Sequence, residues 1–177
     1  MRTPSRLMPA HGEPKPTLTT RVVTLFLAIG LILGLFLLGV EGLLFACGLV
    51  VLGLWSYWKV KWKAQALSHS RKGEGICEFA RAANCRVNDP WIVRAVYEEL
   101  SGAVSVKGSV VPIRWDDQLE EDLGIDPEDL DMGIAPVVGE RAGRSLTNIE
   151  KNPLYGKVRT AGDLVAFFNA QPFRVET

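Results

Sequence analysis

Two apolar runs dominate the N-terminal third of the chain. Nineteen uncharged residues extend from Val22 to Val40 and seventeen more from Gly42 to Trp58, with Glu41 alone between them. At about 1.5 Å per residue the first run spans roughly 28 Å as a helix, close to a bilayer's hydrocarbon thickness, whereas one helix through both would reach about 55 Å. The pattern therefore predicts a hairpin of two transmembrane helices, at about 22–40 and 42–58, turning at Val40, Glu41 and Gly42. Trp55, Tyr57, Trp58 and Trp62 cluster at the end of the second run, where amphipathic rings favour a headgroup boundary. Arg2, Arg6, Lys15 and Arg21 precede the hairpin and Lys59, Lys61, Lys63, Arg71 and Lys72 follow it. The positive-inside rule then places both termini in the cytosol, of an inner or plasma membrane, with the lipid bilayer as one partner. Gly30 and Gly34 form a GxxxG spacing suited to close packing of the two helices. Neither run holds an Asp, Glu, His, Lys or Arg, which argues against a transport path.

The remainder reads as helices. Residues 1–20, rich in Pro, Gly, Thr and Ser, are expected to be a disordered leader, and 59–73 a polar linker. Residues 74–177 form the expected cytosolic domain, beginning with a short helix at about 74–83 through Ile76, Phe79 and Ala80. Asp89-Pro90 is an N-cap followed by proline at the first helical position, and Ile92, Val93, Val96, Tyr97 and Leu100 recur at helical spacing up to Gly102, predicting a helix over 90–101. From Ala103 to Trp115 the alternating valines around Lys107-Gly108 suit a long loop or a small hairpin. Asp126-Pro127 opens a second capped helix carrying Leu130, Ile134, Val137 and Val138, which Pro136 must kink or break near Ala135. Thr160 caps a last helix, with Asp163 as capping-box acid and Leu164, Val165, Phe167 and Phe168 following. The predicted fold class is all-α: a transmembrane hairpin followed by a small helical bundle.

Charge and chemistry narrow the function. Residues 59–177 carry 16 Lys and Arg against 18 Asp and Glu, which gives no electrostatic case for nucleic acid. The two histidines, His11 and His69, fall in the leader and the linker, leaving the domain without an imidazole for general-base work or metal ligation. Cys47, Cys77 and Cys85 fit no metal framework and are expected to be reduced thiols, with Cys77 buried on an apolar helix face. No phosphate-binding loop or nucleophile elbow occurs, so an enzyme is not expected, and no cofactor or metal is implied. The pronounced charge feature is acidic. Asp116, Asp117, Glu120, Glu121, Asp122, Asp126, Glu128, Asp129 and Asp131 fall within sixteen residues that contain no Lys or Arg. Such a face attracts a protein with a basic surface through complementary potential.

The segments Leu119-Glu120-Glu121-Asp122-Leu123-Gly124-Ile125-Asp126, Leu130-Asp131-Met132 and Val158-Arg159-Thr160-Ala161-Gly162-Asp163-Leu164-Val165, in this order, resemble the acyl carrier protein family. The resemblance covers about residues 90–171. It implies a small helical bundle and, in working members, a phosphopantetheine arm on the serine of an Asp-Leu-Gly-x-Asp-Ser-Leu signature. Here Pro127 or Asp129 stands at the serine's position, and no Ser or Thr occurs from Asp116 to Arg144. The sequence thus points to a membrane-anchored, non-catalytic, carrier-like protein that binds a partner through its acidic face. The alternative is a subunit or assembly factor of a membrane complex in which the hairpin makes the contacts.

Overall fold

The computed structural model describes residues 4–8, 39–106 and 110–174. The chain divides into two units, one comprising residues 1–11 and 64–177, the other residues 12–63. The described residues form helices joined by loops, with two isolated antiparallel bridges, Gln118 with Thr160 and Arg144 with Phe173.

The first long element is α1, Gly39–Ser70, 32 residues without interruption. It overturns the expected hairpin. Val40, Glu41 and Gly42, the predicted turn, lie inside the helix, and no helix among the described residues is long and apolar enough to cross a membrane. The physical reason lies in length and charge. Gly42–Trp58 measures about 26 Å as a helix, short of a hydrocarbon core of roughly 30 Å, and the helix runs on through Lys59, Lys61 and Lys63. The integral-membrane location and cytosolic termini read from the hairpin fall with it. The first predicted span lies outside the described residues except for Gly39 and Val40, as do Gly30 and Gly34. Leu49, Val50, Trp55, Trp58 and Trp62 are all exposed along α1, and the ammonium of Lys59 sits 4.3 Å above the Trp55 ring.

The expected linker is largely helical. Ala64 and Leu67 in the last turns of α1 pack on the core, and Arg71 follows, so a face at i, i+3 and i+7 turns inward. Within the expected leader, Ser5–Leu7 makes one 3₁₀ turn and Met8 is buried, its flexible thioether filling a gap beside the core. Residues 9–20 lie outside the described residues.

The bundle is built around α3, Pro90–Val104. Asp89 accepts a hydrogen bond from the Trp91 N–H at 2.9 Å, and Ile92, Val93, Val96 and Leu100 are fully or almost fully buried. Packed on α3 are α2, Ile76–Ala82, with Phe79, and α5, Ala135–Ala142, with Val138 and Ala142. The last helix, α6, Ala161–Ala170, adds Leu164, Val165 and Phe168. Thr160 and Asp163 close the predicted capping box in both directions at 3.0 Å. Arg141 of α5, its side chain only 7% exposed, donates to Glu98 and Glu99 of α3 and ties the two helices together.

Pro136 does not end the helix; the π-helical turn before it relieves the conflict. The helix opens as α4, Pro127–Asp129, widens into a π-helical turn over Leu130–Ile134, and resumes as α5 with Pro136 in its first turn. A proline has no N–H to offer the preceding turn and crowds its carbonyl; one wider turn removes both conflicts without ending the helix. The loop between α3 and the acidic segment is no hairpin among its described residues. Val111 and Ile113 are buried, and Ser101 Oγ donates to the Val111 carbonyl at 2.7 Å while Ser105 Oγ accepts from its N–H at 2.9 Å.

That loop is held from below by a buried ion pair. Arg71 Nη1 and Nη2 donate to Asp117 at 2.6 and 2.8 Å, and Nη1 also reaches the Pro112 carbonyl at 2.8 Å. Asp117 additionally accepts from the Arg114 N–H at 2.7 Å. The loop in turn fixes α6: the Gly162 N–H donates to the Trp115 carbonyl at 2.9 Å and the Ala161 N–H to the Asp117 carbonyl at 3.0 Å. Only glycine permits this approach, since a Cβ at Gly162 would lie 2.5 Å from the Trp115 ring.

Asp117→Ala leaves a buried guanidinium without its carboxylate and is expected to cost about 3–5 kcal/mol in a urea unfolding experiment. Gly162→Ala is expected to lose about 1–3 kcal/mol to overpacking in the same measurement, despite alanine's helix preference of up to about 1 kcal/mol. A neutral or stabilised Gly162→Ala protein would contradict the Trp115 contact.

Candidate functional site

Trp115 and the carboxylate of Asp117 face inward, and the remaining acids follow as the chain emerges. A π-helical turn, Leu119–Leu123, buries its two leucines and presents Glu120, Glu121 and Asp122 outward. Asp122 accepts from the Gln118 N–H at 2.9 Å, closing the start of the turn, and Gly124 ends it in the left-handed conformation at φ 73°. Ile125 is then buried and Asp126 becomes the N-cap of α4, accepting from the Asp129 N–H at 2.8 Å. Glu128, Asp129 and Asp131 complete the exposed set. Three acids in the first turn of a helix are also favoured by its dipole, so this stretch is locally stable as well as charged.

Of the nine acids singled out from the sequence, eight are exposed on one continuous stretch. Asp117 departs from the group. It is buried against Arg71 and works as a structural anchor. Composition marks all nine alike; what separates Asp117 is its place over Arg71 among the buried Val111, Ile113 and Leu119, which only the fold brings together. Pro127, at the first helical position of α4, and Asp129 at its end are both exposed, and neither offers a hydroxyl for a phosphodiester. Cys77 also departs from expectation. It lies on the solvent side of α2, exposed, because Phe79 and Ala83 supply the buried face.

A feature not read from the sequence adjoins these acids. A cleft of about 340 Å³ is lined by Gln118, Glu120, Glu121, Asp126 and Arg159 together with Leu119 and Ile125. A second, about 420 Å³, is lined chiefly by Leu130, Ala135, Leu146, Ile149, Leu164 and Phe167, with Asp131 and Tyr155 among its walls. Both share Pro127, Leu130, Gly156 and Val158. The second wall is the 3₁₀ turn Ile149–Lys151 and its flanks, held by Asn152, whose side chain donates to the Phe167 carbonyl at 2.9 Å and accepts from the Leu154 N–H.

Near the loop's other end Arg114 pairs with Glu74, its Nε at 2.8 Å. The hydrogen bonds from Arg114 hold the Glu74 carboxyl below its ordinary range, and the guanidinium is raised in turn. Among the described residues no cluster of His, Cys, Asp or Glu is arranged to hold a metal ion. The chain matches no protein-family model, no curated protein and no solved structure.

A folded-state pKa below the unfolded one stabilises above the ordinary glutamate range and contributes nothing once pH falls through the folded value. Glu74 is therefore expected to titrate below the ordinary glutamate range in carboxyl NMR, and Arg114→Gln to return it to that range. The same midpoint in both proteins would contradict the pair.

Proposed function

We propose that this chain is a non-catalytic, carrier-like interaction module that docks a protein with a basic surface through the exposed carboxylates of residues 116–131. The supporting observation is the separation of charge: eight exposed acids within residues 116–131, in a stretch from Arg114 to Arg141 that holds no other Lys or Arg. At about 8 Å of screening length in physiological salt, carboxylates this close act together on an approaching surface, raising encounter rates and fixing orientation more than they add affinity. The serine's replacement by Pro127 or Asp129 removes the cargo of a working carrier while leaving a docking face in place.

The test is affinity capture with the full chain, compared with a variant carrying Asp122→Asn, Asp126→Asn, Glu128→Gln and Asp129→Asn. Asparagine retains the capping acceptor at Asp126, so the fold is expected to persist by circular dichroism. The reading predicts partners that elute at raised ionic strength and are lost from the folded variant. An unchanged set of captured proteins would refute it.

A further inference from the structure

The two clefts beside the acidic face differ in chemistry and share a wall. The first is rimmed by Glu120, Glu121 and Asp126 against the one cation Arg159, and the second is predominantly apolar, with Asp131 at its edge. Leu130 and Val158, both half-buried, belong to each. An occupant complementary to both must carry positive charge on one side and a bulky apolar group beside it. A volume of about 420 Å³ exceeds any single side chain and accommodates two adjacent ones.

Resting on the docking reading above, we propose that the occupant is a basic amphipathic segment of the partner protein. It seats apolar side chains in the Leu130, Ala135, Leu146, Ile149, Phe167 cleft while its Lys or Arg residues face Glu120, Asp126 and Asp131. Charge complementarity selects this occupant: a neutral apolar ligand would leave the acidic rim unused, and a purely cationic one would leave the apolar cleft in water. Specificity then comes from the apolar anchor, since surface charges alone contribute little discrimination once screened. The acids steer and the cleft chooses.

The test uses the full-length protein and two labelled helical peptides of equal charge, one built from Lys-Leu-Leu-Lys repeats and one from Lys-Ala-Ala-Lys repeats. The proposal expects the leucine peptide to bind about tenfold tighter or more, the worth of a buried leucine side chain. Its addition should shift the amide resonances of Leu130, Ala135, Leu146 and Ile149. Leu130→Gln and Tyr155→Ala should each reduce the preference; Tyr155 is exposed, so its loss leaves the fold intact. Equal binding of the two peptides would overturn the apolar anchor and leave charge-driven docking standing. Tighter leucine binding with shifts confined to α1, or unaffected by either substitution, would equally overturn it. Failure of both peptides to bind would overturn the docking reading itself.

Discussion

The ion pair between Arg71 and Asp117 is the contact on which the acidic half of the molecule depends. Neither charge is solvated, so each is tolerable only because the other is present and because Pro112 and Arg114 supply further hydrogen bonds. Through it the end of α1 is fastened to the loop at 112–117, and through that loop's carbonyls the first turn of α6 is fastened as well. Three segments distant in sequence thus meet around one residue, Asp117, its carboxylate holding Arg71 and its backbone carbonyl the start of α6. The bridge of Gln118 with Thr160, reinforced by the Leu119 N–H donating to the Arg159 carbonyl at 2.9 Å, continues the same seam.

The candidate face inherits its geometry from that seam. Once residues 117–119 are fixed against α6, the π-helical turn must leave with Leu119 and Leu123 inward and its acids outward, and Asp126 must start α4 beside it. The larger cleft arises where α4 and the following π turn diverge from the 3₁₀ segment near Ile149, and the smaller lies between the acidic turn and residues 156–159. Pro136 contributes indirectly, because the widened turn it requires displaces Leu130 and Ala135 from regular helical register and shapes one wall. A local conflict between proline and helix is thereby part of the site's form.

Local chemistry made much of the bundle legible. Caps at Asp89, Asp126 and Thr160, each a short polar side chain before a periodic apolar run, mark helix starts wherever they stand, and Pro136 marks its own interruption. What the sequence hid was tertiary. Asp117 is indistinguishable in composition from its eight exposed neighbours until Arg71, 46 residues earlier, is known to lie beneath it. Cys77 looked apolar because Ile76 and Phe79 flank it, yet one position on a helix is a rotation of about 100°. Gly42–Trp58 has the uncharged character of a membrane span but not its length, and uncharged character alone does not show that the helix containing it runs on through three lysines to Ser70. The clefts had no signature, since their walls come from four segments joined only by folding.

The central claim, that one buried ion pair holds the loop, α6 and the acidic face as a unit, is tested most directly by amide hydrogen exchange in Arg71→Met. The account predicts that the Leu119, Leu123, Ala161 and Gly162 amides lose protection together while Val96 in α3 and Ala142 in α5 keep theirs. Loss of protection at Leu119 and Leu123 with Ala161 and Gly162 unchanged would contradict it, because the acidic turn and α6 would then be held independently.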